Sequence, residues 1–323
     1  MKAMVQDRYG DAGVLRLAEV ERPMPGAGEV LVRVHAAALN HGDRVDLHGE
    51  PRIARLQLGV RRPKVAIPGR AVAGTVELAG PGVPDWAPGD AVLCETSKRG
   101  FAEFVAVPAA RLAAKPAGVT FEQAATLPVS GTTALQALST VDVDENRRCK
   151  VLVNGASGGV GTFAVQLARL AGATVTAVCS PRNADRARAL GATEVIDYTR
   201  DDFTRGAERY DAVIDLAGGY TVAGMLGVLT ERGVFIGCNG TGGPVLGPLP
   251  RLATILTWSV WRRGKVKVLL NRPDPADLTT LAAMVADGRL RPEIERVLPL
   301  AETAAALRAM ETEHARGKIV LTV

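Results

Sequence analysis

Residues 151–161 read VLVNGASGGVG. The run is apolar up to Asn154 and then sets four glycines among seven residues. Gly155, Gly158 and Gly161 are spaced G-x-x-G-x-x-G. Without a Cβ, glycine permits a tight turn and a close approach of backbone to ligand. The free N–H groups and partial positive charge at a helix N-terminus suit a pyrophosphate. A plain tight turn uses the same residues, so the triplet alone is a weak signal. Here it follows the strand-like KVLVN, opens a helix near Gly161 and sits in a βαβ unit, the context of a dinucleotide site.

Strand and helix patterns alternate on both sides of this turn. CKVLVNG leads to GTFAVQLARLAGA, and TVTAVC leads to PRNADRARALGA; TEVIDY, YDAVIDLAG and GVFIGC follow. That alternation predicts a parallel sheet. Ser180-Pro181 reads as a helix N-cap followed by proline at the first helical position, and Gly191 as the stop. Thr199 with Asp202 reads as a variant capping box. The first third is different, rich in Gly and Pro with short β-type runs such as EVLVRVHAAAL and FAEFVAVP. The expected fold is therefore α/β, with an irregular β-rich domain beside a doubly wound sheet.

An NAD site usually has an acidic residue about 20 residues on, bonding the ribose 2′-hydroxyl. The second strand here ends TAVCSPRNADR, with Ser180 and Arg182 where that acid would stand. A hydroxyl and a guanidinium accommodate a phosphate, which favours NADPH. Arg182 also reads as a solvated first-turn residue. Tyr198, closing the next strand, either reaches the 2′-phosphate or packs at the sheet edge.

The 323 residues are 47% hydrophobic and 23% charged, the balance of a soluble globular protein of about two domains. A net charge of +5 with dispersed Arg gives no basic stripe, so nucleic acid is not expected. Cys94, Cys149, Cys179 and Cys238 make no CxxC pair, which argues against a disulfide framework or zinc cluster. His35, His41, His48 and His314 have no partners at metal spacing. MKAMVQDRYG has no apolar signal region, and no run approaches the roughly 20 apolar residues of a membrane span. A cytoplasmic protein is expected.

Several stretches together carry a resemblance. They are 22–43 (RPMPGAGEVLVRVHAAALNHGD), 67–92, LPVSGTTALQAL, 151–180, ALGATEVIDY, YDAVIDLAG and HARGKIVLTV. The chain resembles the medium-chain dehydrogenase/reductase superfamily, in its zinc-free quinone oxidoreductase-like branch. The resemblance implies a GroES-like catalytic domain over 1–120, completed by 266–323, and a Rossmann NADP-binding domain over 121–265. Zinc-bearing members carry Cys-His-x-Asp and Gly-His-Glu stretches. Here Asn40, Arg70 and Ala71 stand at the Cys, His and Glu positions. Asn and Arg are not credible zinc ligands, so no metal is expected.

Without a Lewis acid to hold an alkoxide, the substrate must supply its own electron sink, as a quinone or α,β-unsaturated carbonyl does. The protein then needs hydrogen-bond donors at the developing oxyanion and a proton source. The resemblance puts Asn40 at the nicotinamide and the reacting carbonyl. Asp43 either orients that loop and touches substrate or caps a turn. The following segment lacks the Tyr that some enoyl reductases use, which leaves His48 or water as proton donor. For the cofactor, Ala156, Ser157, Gly158, Gly159 and Val160 are expected on the pyrophosphate, between Gly155 and Gly161. Thr126 and Thr132 are expected near the nicotinamide ribose, and Gly237, Cys238 and Asn239 along the nicotinamide edge. Arg316 or Lys318 is expected to reach a cofactor phosphate. Trp258 and Trp261 belong to a pocket wall, a buried helix or an interface.

Reduction of a small-molecule quinone or enone is the leading expectation, by a homodimer as is common in the family. Two alternatives stay open. One is an enoyl reductase acting on CoA- or carrier-bound or polyketide substrates, with a basic rim of Arg52, Arg55, Arg61, Arg62 and Lys64. The other is a non-catalytic NADPH-binding regulatory or RNA-binding protein.

Overall fold

The computed structural model describes residues 1–141, 149–238, 243, 245–262, 265–313 and 316–323. The chain divides into two compact units, Met1–Thr132 with Pro273–Val323, and Thr133–Arg272.

In the second unit, six strands among the described residues form one parallel sheet. Their spatial order is Glu194–Asp197, Thr174–Cys179, Lys150–Asn154, Tyr210–Asp215, Leu229–Gly237 and Val266–Val268. Numbered along the chain this is 3-2-1-4-5-6, the doubly wound order of dinucleotide-binding sheets. Val151, Leu152, Val153 and Asn154 are all buried, as a parallel strand covered on both faces requires. The order switches between the first and fourth strands, whose ends Asn154 and Asp215 are register partners. Ligands of such sheets bind just beyond that point.

The first unit is built on a seven-stranded sheet. Its long central strand Glu29–Ala38 pairs antiparallel with Ala71–Ala79, Phe104–Pro108 and Lys318–Thr322. The last chain segment thus completes the N-terminal sheet. Val30, Val32, Val34, Val72, Val92, Phe101, Leu307 and Leu321 share its core.

The boundaries differ from the expected 120/121 and 265/266. Helix Phe121–Thr126 and the turn after it belong to the first unit, because that helix packs on strands Glu29–Ala38 and Ala71–Ala79. Strand Val266–Val268 belongs to the second, because its backbone pairs with Leu229–Gly237. A helical period reveals an apolar face but not which sheet it will cover.

Ser180 and Pro181 start a short 3-10 helix, and Gly191 ends the next helix in the left-handed region at φ 114°. The Thr199–Asp202 capping box does not form. Thr199 bonds Asp197 through both its N–H and its hydroxyl, while Asp202 accepts from Thr204 N. Each carboxylate captures the N–H two residues on, a shorter loop than a capping box spans.

Trp258 packs against the second unit's core from helix Leu249–Trp261, whereas Trp261 is 82% exposed. No helix among the described residues is long and apolar enough to cross a membrane.

Candidate functional site

The glycine turn lies where the strand order switches. Gly155 has φ +89°, and a Cβ there would stand 2.9 Å from the Ala217 Cβ. Gly161 is still more constrained, since its Cβ would fall 2.2 Å from Gly155 O and 2.7 Å from Ala156. The helix Gly159–Leu170 packs its first turn directly on the loop. Its first N–H groups, at Gly159, Val160 and Gly161, have no carbonyl within the helix to bond. They open beyond the strand ends, beside Ala156, Ser157 and Gly158. These residues fit a dinucleotide pyrophosphate.

Asn154 and Asp215 brace the same point. Asn154 Nδ2 donates to Asp215 Oδ1 and to Gly218 O, both at 2.8 Å. Arg251 Nη2 donates to Asp215 Oδ2 at 2.5 Å, and Arg251 Nη1 donates to Tyr220 O. None of these braces was expected; nothing in local periodicity marks a residue that bonds across 36 or 61 positions.

Asp197 pairs with Cys179 at the ends of neighbouring strands, so Ser180 and Tyr198 each follow a strand end, and Arg182 lies in the short 3-10 helix after Ser180. Ser180 is buried and its Oγ accepts from Asn183 Nδ2 at 3.2 Å, while Arg182 and Tyr198 are exposed. Gly237 closes the fifth strand. Burial, then the neighbouring Asp215, pushes the Cys238 thiol up to about 12, so it is no nucleophile at neutral pH. Asn239 and His314 lie outside the described residues.

In the first unit the sheet register gathers a second cluster. Val320 pairs with Ala38 and Thr322 with Ala36, so Lys318 comes opposite Asn40. Lys318 Nζ donates to Leu39 O at 2.5 Å, Asn40 Oδ1 at 2.6 Å and Ser130 Oγ at 3.0 Å. Ser130 Oγ also donates to Asn40 Oδ1 at 3.2 Å, and Asn40 Nδ2 donates to Ala38 O at 2.9 Å. Asn40 and Lys318 are 5% and 3% exposed. Asn40 is the N-cap of helix His41–His48, and its own N–H donates to Asp43 Oδ2 at 2.8 Å.

Asp43 is completely buried, and its Oδ1 has no hydrogen-bond partner. Burial raises its carboxyl to about 7, opposed by the Asn40 N–H and by Arg70 and Lys318. Deeper on the same helix, Asp46 takes Arg70 Nη2 at 2.8 Å and lies 3.1 Å from Lys98 Nζ. Ser130 follows Val129, whose φ of 67° and ψ of −62° lie in a strained γ-turn region. Ser130 was not expected in the site, although it lies inside the quoted LPVSGTT stretch.

Three expectations, those for Lys318, His48 and Thr126, are corrected by this geometry. Lys318 does not reach out to a phosphate; the strand register turns its amine onto Asn40. His48 is no free proton donor, because its Nε2 is 2.5 Å from Glu311 Oε1. Thr126 is fully buried and its hydroxyl donates to Gln123 O at 2.6 Å, the back-bond of a helical Thr. Arg316 donates its backbone N–H to Glu295 Oε2. Thr132 is buried at the start of helix Thr132–Leu138.

Residues 26–134 match the family described as alcohol dehydrogenase GroES-like domain, and residues 190–321 the family described as zinc-binding dehydrogenase. The chloroplast envelope quinone oxidoreductase homolog of Arabidopsis thaliana is 32% identical over 99% of this chain and 98% of its own length. The chain belongs to the medium-chain dehydrogenase/reductase superfamily, in its quinone oxidoreductase-like branch. It is an oxidoreductase. A chloroplastic NADPH-dependent alkenal/one oxidoreductase of the same plant is 31% identical over 99% of this chain and 79% of its length. The structure of the quinone oxidoreductase from Coxiella burnetii has a TM-score of 0.89 at 31% identity, covering 100% of this chain and 99% of that one.

The superfamily's zinc-bearing members make the metal positions worth testing on the residues themselves. Asn40 Oδ1 is held by the Lys318 amine, and the Arg70 guanidinium is paired with Asp46. Ala71 offers no donor. A divalent ion placed among these groups would meet two cationic side chains and no thiolate or imidazole. The donor set does not fit zinc. Among the described residues, no group of three His, Cys, Asp or Glu could hold a metal ion.

Proposed function

We propose that this oxidoreductase reduces a quinone or an α,β-unsaturated carbonyl with NADPH and without zinc. The carrying observation is the Asn40–Lys318–Ser130 cluster. It offers one free Nδ2 hydrogen beside a positive charge at Asn40, which stands where the zinc-bearing members carry a ligand Cys. Such a site stabilises an oxygen that becomes anionic, which quinones and enones provide during reduction. When bound, reduced nicotinamide supplies the hydride. The switch-point turn and its helix N-terminus support a pyrophosphate, and Ser180 with Arg182 in place of an acid after the second strand supports a 2′-phosphate. The names of the quinone and alkenal/one relatives support both substrate classes.

The test is NADPH and, separately, NADH oxidation by metal-free enzyme against 1,4-benzoquinone, a short enone, an enoyl thioester and a saturated ketone. NADPH-dependent turnover of quinone or enone, with the ketone inert, is expected. Turnover that needs added zinc sinks the proposal.

One observation favours the enoyl-thioester reading within the same chemistry. Arg52, Arg61, Arg62 and Lys64 are exposed beside the exposed Ile53, Leu56 and Val60. Arg55 is instead committed, stacked over Tyr9 and bonded to His48 O and Gly49 O. A basic and apolar rim suits a phosphate-bearing acyl carrier. High salt then weakens thioester turnover more than quinone turnover. The homodimer remains part of the proposal, supported by strand Val266–Val268 at the end of the parallel sheet; sedimentation velocity tests it.

A further inference from the structure

Lys318 is an unusual residue to bury. Its amine is enclosed by three groups of which two, Leu39 O and Asn40 Oδ1, only accept hydrogen bonds. An ammonium has three hydrogens, one for each neighbour, whereas a neutral amine has two. Of the three neighbours, Ser130 alone can change from acceptor to donor. The surroundings are therefore matched to the charged form.

The Asn40 amide is oriented by the same contacts. Its oxygen receives Lys318 and Ser130, while its nitrogen gives one hydrogen to Ala38 O. Flipped, the amide would turn N–H groups toward the ammonium and its oxygen toward a carbonyl. The second Nδ2 hydrogen has no acceptor among the described residues. Below the side chain, Asp43 holds the Asn40 backbone N–H. Asn40 is gripped at both ends, and Ser130, which follows Val129, closes the grip.

We propose that Lys318 is a positioning residue of this site: its ammonium fixes the Asn40 amide so that one Nδ2 hydrogen is offered to the oxygen of the substrate. This rests on the reductase reading for its substrate, but the orientation of Asn40 is a property of the chain itself.

A dependence on pH follows. Burial lowers the Lys318 amine to about 7, with Asp43 opposing. The charged groups around the cluster are Asp43 and Asp46 from helix His41–His48, Arg70 ahead of strand Ala71–Ala79, and Lys98 on Asp46. Loss of the Lys318 proton frees Ser130 to donate to the amine and loosens the amide. Activity should fall as pH rises through that range.

The experiment compares wild type with K318M, S130A and D43N, using NADPH and 1,4-benzoquinone from pH 5.5 to 9. K318M is expected to lose roughly 10²-fold in kcat, the scale of a misplacement near 1 Å, with NADPH binding by fluorescence unchanged. Its kcat should be flat where wild type declines. D43N should move the decline to lower pH, because a charge that favours the ammonium is gone. If K318M does not fold, S130A carries the test, with an expected loss of about 5-fold in kcat, the scale of one neutral hydrogen bond. A K318M kcat within twofold of wild type, with the same pH profile, overturns the proposal. So does loss of NADPH binding with kcat retained at saturation, which returns Lys318 to a phosphate. Wild type inert toward every acceptor sinks the functional reading alone. The Asn40 side-chain ¹⁵N–¹H pair then decides: shifted and broadened in K318M supports positioning, unchanged overturns it.

Discussion

Asp43 keeps one buried carboxylate oxygen without a partner on helix His41–His48, and the burial of this carboxyl makes a measurable demand on pH. The folded carboxyl holds its proton up to about 7, whereas the unfolded one releases it near 4. Its stabilising contribution is complete below the unfolded value and is lost as pH rises toward 7. Asp43→Asn cannot ionise, so its stability relative to wild type should improve by about 2 kcal/mol between pH 5 and pH 8. Differential scanning fluorimetry at the two pH values checks this; a constant difference in Tm removes the assignment. Arg182 gives a second prediction at this scale. Arg182→Ala should raise the KM for NADPH about 10-fold and leave that for NADH unchanged, since only NADPH carries the extra phosphate.

The glycine turn is the element on which most of the fold depends. Gly161→Ala pushes a methyl into Gly155 O and Ala156, which are backbone and cannot rotate aside. It should cost about 1–3 kcal/mol by overpacking and weaken NADPH binding at the same time. Urea denaturation and fluorescence titration read the two losses. Helix Leu249–Trp261 is tied down differently, by Arg251 on the buried Asp215. Arg251→Ala leaves that carboxylate without its charge partner and should destabilise by about 3 kcal/mol. The exposed Arg188–Asp185 pair is a control, and Arg188→Ala should leave the urea midpoint in place. Helix punctuation was legible where one residue type suffices, as at Pro181 and Gly191. It misled at Thr199, where two aspartates each offer an acceptor and the nearest N–H wins.

At the scale of the whole molecule, a ligand held by one of two compact units stabilises that unit first. NADPH at 100 times its Kd should add about 2.7 kcal/mol to the unit that binds it. Thermal unfolding should then show the transition of residues 133–272 displaced upward, with a smaller displacement in Arg182→Ala. The strand–helix alternation, the glycine turn, the lack of an acid after the second strand and the poor match of Asn40 and Arg70 to zinc are all readable from the order of residues alone. Each depends on a residue's own chemistry or on neighbours within a few positions. The side on which helix Phe121–Thr126 packs, the Arg251–Asp215 brace, the capture of His48 by Glu311 and the place of Lys318 emerge once distant segments are packed together. Lys318 and Asn40 are brought together by the antiparallel register of two strands from opposite ends of the chain. Register is fixed by which faces bury their apolar side chains against the rest of the sheet. A segment read alone does not contain the partner against which it will be buried.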